Sequence, residues 1–193
     1  SQTNGEGGGY PNSYGYLSAF GSEGFTFTRG SLGSGSDPDG YAYYDELNAA
    51  YVAWCWDAGT STVTNTDGSI TSQVRANASA GFSVVTYTGA GSGNATIGHG
   101  LGVAPRLIIT KNRTSASNWI TWHGAFGANE YIALNLTSAK NYGGTGNTTF
   151  GGTSASLPTS TVFTVGSDLN PSSAQFVAYC FAPVAGYSSF GSY

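Results

Sequence analysis

A string of six residues occurs twice in this chain and constrains its fold more than any other feature. Tyr51-Val-Ala-Trp-Cys-Trp56 reappears as Phe176-Val-Ala-Tyr-Cys-Phe181, with Val, Ala and Cys unchanged and aromatic residues at the other three positions. The flanking strings repeat in the same order: Thr26–Thr28 and Val162–Thr164 upstream, Gly81–Tyr87 and Gly186–Tyr193 downstream. Matches in one order indicate an internal repeat, whose spacing exceeds the roughly 20–50 residues of a solenoid coil. Each unit should therefore be a domain-sized piece of a modular, extended protein.

The repeat also predicts how the chain is organised. Residues 1–57 are expected to be an N-terminal arm followed by the terminal strands of a partial repeat. Residues 58–193 are expected to be one full β-sandwich repeat, with the whole chain packed as one unit. Because the sequence contains no Met, we expect it to be processed or to be an excerpt of a longer protein.

The composition points to a protein that works inside an assembly. Only 8% of the residues are charged, far below the roughly 25% of ordinary soluble domains. With 39% hydrophobic residues and 14% aromatic residues the chain can still bury a core. Its surface must then consist of hydroxyls, amides and glycine backbone, which gives little charge repulsion between copies.

Charge and hydropathy exclude two classes of partner. The net charge is −4 and Lys and Arg total six, too few for the basic stripe that tracks phosphates. No apolar run approaches the roughly 18–20 residues that span a bilayer. We therefore expect neither nucleic-acid binding nor membrane insertion.

The pattern of the chain is that of an all-β protein. No window has helical periodicity, and β-branched and aromatic residues are abundant. Short strands between Gly, Pro, Asn and Ser clusters predict an antiparallel β-sandwich, jelly-roll-like, with an extended Gly/Ser/Tyr-rich N-terminal arm over residues 1–24. The expected strands cover residues 24–28, 47–56, 81–87, 107–111, 119–123, 131–136, 162–165 and 175–182. The strand at 47–56 is apolar on both faces, which favours a central position.

Five strings occur in a characteristic order: Gly81–Gly89, Gly98-His-Gly-Leu-Gly-Val-Ala-Pro105, Leu107-Ile-Ile-Thr-Lys-Asn-Arg113, Asn118-Trp119 and Tyr179–Tyr193. Taken together, they resemble a repeat of long virion proteins of tailed bacteriophages, many from aquatic and cyanobacterial hosts. The resemblance covers roughly residues 45–193; the first 45 match less well, and Asp37–Glu46 looks like a local insertion. It implies a tail-fibre-like or structural module related to concanavalin-A-like sandwiches. It supplies no catalytic residues.

Two interpretations of the cysteines stay open. Cys55 and Cys180 occupy equivalent positions in apolar runs, so each could be a buried small hydrophobe. Alternatively the equivalent strands could lie side by side and carry a Cys55–Cys180 disulfide. Neither cysteine has the surroundings of a nucleophile or a zinc ligand.

No cofactor or metal is expected, although two weak metal candidates exist. His99 and His123 could share a metal, but the glycines around His99 are explained by a tight turn, and no Cys, Asp or Glu cluster accompanies the histidines. Acidic residues are densest in one loop, where oxygen ligands would suit Ca²⁺ and where side chains that cap their own turn are the simpler explanation. That loop contains Asp37, Asp39, Asp45 and Glu46.

Loop aromatics suggest contact with a sugar or with another subunit. Tyr41, Tyr43 and Tyr44 could pack on the face of a host glycan, or they could form contacts between copies of the chain. A catalytic function is not expected, because no nucleophile elbow is present and the acids fall mostly in loops rather than facing a cleft in pairs.

The sequence thus favours a structural protein of the phage virion, a fibre, appendage or capsid-decoration module that works by homo-oligomeric assembly. Its expected partners are copies of itself, with a trimer favoured, and other virion proteins. Two alternatives remain: a receptor-binding lectin-like module that holds host surface glycan, and a bacterial adhesin or surface-filament subunit.

Overall fold

The computed structural model describes residues 16–21, 24–28, 52–91, 93–142 and 148–192. These residues belong to two compact units, the smaller containing the described residues up to Cys55 and the larger those from Trp56 onward. The regular elements of the described residues are strands and three short 3-10 turns. No helix in this part of the chain is long and apolar enough to cross a membrane.

Twelve strands follow one another along the described chain. They are β1 (Tyr16–Phe20), β2 (Phe25–Thr28), β3 (Val63–Asn65), β4 (Ser72–Asn77), β5 (Phe82–Thr88), β6 (Ala95–Gly98), β7 (Leu107–Asn112), β8 (Ile120–His123), β9 (Glu130–Ala133), β10 (Asn141–Tyr142), β11 (Val162–Val165) and β12 (Gln175–Phe181). In the smaller unit β1 and β2 pair with each other as an antiparallel hairpin.

The larger unit is built on one wide antiparallel sheet. Its strand order is β10-β9-β8-β7-β12-β5-β4-β3, and β6 pairs with β11 in a separate two-stranded sheet. Strand β12 lies at the centre, with Ala178 opposite Val85 of β5 and opposite Thr110 of β7. The last strand in the chain thus joins the two halves of the sheet.

Side-chain alternation decides which face of the wide sheet is buried. Val85, Ile108 and Ala178 are fully buried on one face, here called the inner face. Ile97 of β6 and Phe163 of β11 belong to the same buried cluster. The core therefore fills the space between the wide sheet and the β6–β11 pair, and the prediction of an all-β antiparallel sandwich is confirmed.

Most predicted strands are present, and one prediction was wrong. Residues 52–56, expected in a central strand, lie in no strand and are exposed. Their repeat counterpart β12 is flanked by β5 and β7, whereas none of the described strands pairs with residues 52–56. The expected N-terminal arm contains β1, which pairs with β2 because its Tyr, Leu and Phe side chains favour extended structure. Residues 1–15 and 47–51 lie outside the described residues.

Alanine substitutions at two glycines of similar backbone conformation test the packing at the start of β5. Gly81 (φ 66°) and Gly102 (φ 74°) both adopt the left-handed region, where an Ala costs roughly 1–2 kcal/mol. A Cβ on Gly81 would also collide with the Ala182 carbonyl and the Val184 side chain, while one on Gly102 meets nothing within 4 Å. We expect Gly81→Ala to lower the free energy of unfolding by about 1–3 kcal/mol more than Gly102→Ala. Urea denaturation measures both, and equal losses would contradict the packing of β5 against residues 182–184.

Candidate functional site

The candidate ligand residues named from the sequence fall largely outside the described structure. Tyr41, Tyr43 and Tyr44, the glycan candidates, lie in an undescribed range, as do the calcium candidates Asp37, Asp39, Asp45 and Glu46. Both predictions therefore stay predictions. Within residues 52–91, 93–142 and 148–192, and in the described hairpin, no group of three or more His, Cys, Asp or Glu side chains could hold a metal ion.

The two cysteines have different surroundings, and the structure has no bond between them. Both are free thiols, Cys55 exposed and Cys180 buried. Burial raises the pKa of the Cys180 thiol to about 12, so it is an inert part of the core. The interpretation as a buried small hydrophobe fits Cys180, whereas Cys55 is neither buried nor disulfide-bonded.

Both histidines use ring nitrogens to hold the local backbone. The fully buried His99 ring lies with Nε2 3.2 Å from the Thr159 carbonyl, and its Nδ1 accepts from the Leu101 amide. One nitrogen donating and the other accepting is the pattern of a neutral imidazole. His123 Nδ1 accepts from the Ala125 amide and its ring packs edge-on against Phe126. Each ring therefore has a structural role.

The acidic residues at strand edges also have structural partners. Asp57 accepts from the Gly59 amide and from Asn77 Nδ2. Glu130 accepts from the Gly127 amide and forms a salt bridge of 2.7 Å with Lys140, which lowers the pKa of its carboxyl group. These carboxylates brace loops rather than face one another across a cleft.

The first copy of the repeated string presents large apolar side chains to solvent. Val52 is 68% exposed and Trp54 is 72% exposed. In the equivalent string of β12, the counterpart of Val52 is Val177, which is only 9% exposed, and the counterpart of Trp54 is Tyr179, which is partly exposed. A sequence suited to the middle of a sheet therefore lies uncovered in the smaller unit.

The β1–β2 hairpin has the same character. Leu17, Phe20, Phe25 and Phe27 are all exposed, Phe20 to 81%. Phe25 and Phe27 meet edge to face with ring centroids 5.3 Å apart. A two-stranded hairpin is at best marginally stable on its own in water, so a covering surface over exposed side chains such as Phe20 would stabilise it.

The outer face of the wide sheet carries an apolar patch as well. Its central strands carry Val84, Ile109, Tyr179 and Phe181, all partly exposed. Phe181 packs with Phe82 and Trp56, with ring centroids 4.8 and 5.6 Å away. An antiparallel sheet with one wet face normally alternates apolar and polar residues, so this face is also suited to contact with another surface.

A cleft of about 300 Å³ opens on the inner face, at the edge of the core. Its floor is the buried ring of Phe176, which is stacked on Tyr87 with centroids 5.2 Å apart. The other lining residues come from β7, β8, β9 and three connecting segments: Thr110, Asn112, Ser117, Asn118, Ile120, Tyr131, Thr149, Asp168 and Leu169. The lining thus combines rings and aliphatic groups with amides, hydroxyls and one carboxylate.

Sequence analysis missed this cleft, although one signal was present. Ile108, Thr110 and Asn112 alternate along β7 and share the inner face, since Thr110 and Asn112 lie opposite Ala178 and Phe176. Two polar residues on the core-facing side of a buried strand indicate that the core ends there. The contribution of Asp168 was not predictable, because its loop reaches the site only through the fold.

Burial of His99 predicts a pH-dependent stability. Desolvation lowers the pKa of His99 below its ordinary value of 6.5, partly opposed by Asp67. The unfolded chain therefore binds a proton near pH 6.5 that the folded chain does not, so stability is complete above this pH and falls as the pH drops below it. The loss is at most about 1.4 kcal/mol per pH unit.

Urea denaturation between pH 7.5 and 5.5 measures this loss, with His99→Gln as the control that keeps a donor and an acceptor but does not titrate. We expect the variant to lose less stability than the wild type over this range. An unchanged pH dependence in His99→Gln would show that another group is responsible.

The comparisons with known proteins give one match. No curated protein and no solved structure matches the chain. A family model described as a domain of unknown function, DUF7483, matches residues 3–193. Because this match covers nearly the whole sequence, the chain belongs to the DUF7483 family.

Proposed function

We propose that this protein is a structural module of a phage virion, in a fibre, an appendage or a capsid decoration, and that it works by assembling with copies of itself. The observation that carries the proposal is the exposure of Val52 and Trp54 in a string whose other copy forms the centre of a sheet. Exposed Trp and Val side chains are unfavourable in water. Trp is also enriched among the residues that contribute most of the binding energy at protein interfaces.

Further surfaces support the same function. The β1–β2 hairpin and the outer face of the wide sheet carry apolar patches in their own right. The chain carries few charges, only 8% of its residues, so electrostatic repulsion between copies is weak. Interface centres are depleted in charged residues and enriched in aromatic ones, which is the composition of these surfaces.

The nature of the partner follows from this composition. A second copy of the chain brings the same aromatic side chains, so each copy can cover exposed apolar surface of the other. The virion as the place of assembly is supported by the motif resemblance of residues 45–193. The proposed work is mechanical, with no catalytic step.

Removal of one exposed ring tests the proposal. We expect the wild-type chain to sediment as an oligomer of 19.7 kDa subunits, and Trp54→Ser to weaken association about 30-fold or more, the effect of losing about 2 kcal/mol at an interface hot spot. Analytical ultracentrifugation over a concentration series measures the dissociation constant.

Leu157→Ser is the matched control, because Leu157 is also an exposed apolar side chain, at 56%, but lies in a different loop. This control should leave association unchanged. A wild-type chain that stays monomeric at about 100 µM, where any micromolar complex would form, would refute the proposal.

A further inference from the structure

The cleft on the inner face has the size and lining of a site for one small polar ring. Ligand sites in proteins have volumes of roughly 300–1,000 Å³ and combine apolar walls with a few placed polar groups. At about 300 Å³ this cleft is at the small end of that range. It has room for a single ring rather than for a chain of them.

Asn112 supplies a hydrogen-bond donor whose direction is determined by the fold. Its Oδ1 accepts from the Thr114 amide, the Thr114 hydroxyl and the Ser115 amide. These donors identify the oxygen of the side-chain amide, and the remaining Nδ2 donates to no described group. The residue is nearly buried, at 8% exposure, but its Nδ2 is not among the buried unpaired atoms of the described residues, so this donor can reach a ligand in the cleft.

Asn118 and Tyr131 add two further polar groups. Asn118 Oδ1 accepts from Asn135 Nδ2 at 3.1 Å, which leaves Asn118 Nδ2 without a partner among the described residues. The half-buried Tyr131 places an aromatic ring in the cleft wall, and its hydroxyl forms no bond with the described residues. The cleft therefore offers donors beside an aromatic surface.

Asp168 supplies an acceptor that is held firmly at the cleft. Its amide donates to the Thr148 carbonyl, and its Oδ2 accepts from the Thr148 hydroxyl, both at 2.6 Å. The next residue, Leu169, is tied to the core because its carbonyl accepts from the buried hydroxyl of Tyr87 at 2.9 Å. The second oxygen of the Asp168 carboxylate remains available to a ligand.

The charge of the lining limits the chemistry of the ligand. Asp168 is the one charged side chain among the ten lining residues, so the cleft disfavours phosphate, carboxylate and sulfate groups. Amide donors, a carboxylate acceptor and an aromatic wall together suit a neutral ring that bears several hydroxyls and has an apolar face.

We propose that this cleft binds a neutral monosaccharide ring, either a free sugar or the terminal residue of a glycan. Asn112 Nδ2, Asn118 Nδ2 and the Tyr131 hydroxyl donate to oxygens of the sugar, Asp168 accepts from its hydroxyls, and the Tyr131 ring contacts its apolar face. This site differs from the surfaces proposed for assembly, and it is independent of the loop that holds Tyr41, Tyr43 and Tyr44.

Saturation-transfer difference NMR with the full chain tests the proposal, because the method tolerates oligomers and detects weak ligands. The probes are glucose, galactose, mannose and N-acetylglucosamine, each free and as both methyl glycosides, with glucuronic acid and sialic acid as acidic counterparts. We expect at least one neutral sugar to bind with a dissociation constant in the millimolar range or below, and the acidic sugars to bind more weakly.

The methyl glycosides separate the two sources of the ligand. Binding of a methyl glycoside assigns the site to the end of a glycan, since the anomeric position is then free to carry a chain. Binding of the free sugar alone assigns it to a free monosaccharide.

Two conservative variants locate the binding. Asp168→Asn keeps an oxygen for the Thr148 hydroxyl and should weaken binding about tenfold or more, because bonds to a charged acceptor are strong. Tyr131→Phe keeps the ring and should weaken binding about three- to tenfold. The controls are Asp67→Asn, an exposed carboxylate that also holds a neighbouring side chain, and Tyr187→Phe, an exposed ring outside the cleft.

Three results would overturn the proposal. One is the absence of binding by every neutral sugar at about 50 mM, well above a millimolar dissociation constant. A second is binding that Asp168→Asn and Tyr131→Phe do not weaken while circular dichroism shows both variants folded. The third is an acidic sugar that binds as well as its neutral counterpart.

Discussion

Strand β12 is the element on which the larger unit depends, because its side chains are apolar on both faces. It pairs with β5 from Gln175 to Phe181 and with β7 from Phe176 to Phe181. Its inner-face residues, Phe176, Ala178 and Cys180, are all buried at 1% exposure or less. Among the described strands, β3, β4 and β5 join β7 to β10 in the wide sheet through β12, so this sheet is complete only once β12 is in place.

The same strand sets the position of both surfaces to which we assign function. At its start Phe176 turns inward, stacks on Tyr87 and forms the floor of the cleft. At its end Phe181 turns outward and packs with Phe82 and Trp56. Because successive side chains of the seven-residue strand β12 point to opposite faces of the sheet, the polar cleft and the apolar face lie on opposite sides.

Hydrogen bonds between neutral groups, rather than ion pairs, hold the buried polar groups of this protein in place. The Oδ1 atom of the buried Asn170 accepts a hydrogen bond from the Ala90 amide, and the Tyr87 hydroxyl donates one to the Leu169 carbonyl. Burial raises the pKa of the Tyr87 hydroxyl strongly, which keeps it a donor at any physiological pH. Such bonds contribute about 0.5–1.5 kcal/mol each and need no charged groups, in keeping with a chain in which only 8% of the residues are charged.

Local sequence patterns predicted the strands well and the surfaces poorly, for a physical reason. Leu107–Lys111 and Gln175–Ala182 predict strands because β-branched and aromatic side chains favour extended backbone wherever they lie. The string Tyr51–Trp56 has the same preference, yet residues 52–56 form no strand, since a strand also needs partners that the string itself cannot specify. The cleft was missed for a related reason: Asn112, Tyr131 and Asp168 converge only after non-local pairing, and each is unremarkable in its own segment.

Assembly and sugar binding, if both proposals hold, reinforce each other energetically. A cleft for one ring can make only a few hydrogen bonds, and a millimolar dissociation constant corresponds to about −4 kcal/mol, too little to hold a particle on a surface. Copies joined through their apolar surfaces would present several such clefts at once, and linked sites can raise the overall affinity by roughly 10²–10⁴. Weak sugar binding by each copy is therefore compatible with attachment by the proposed assembly. Attachment would then require the assembled form, and a single detached copy would release its ligand.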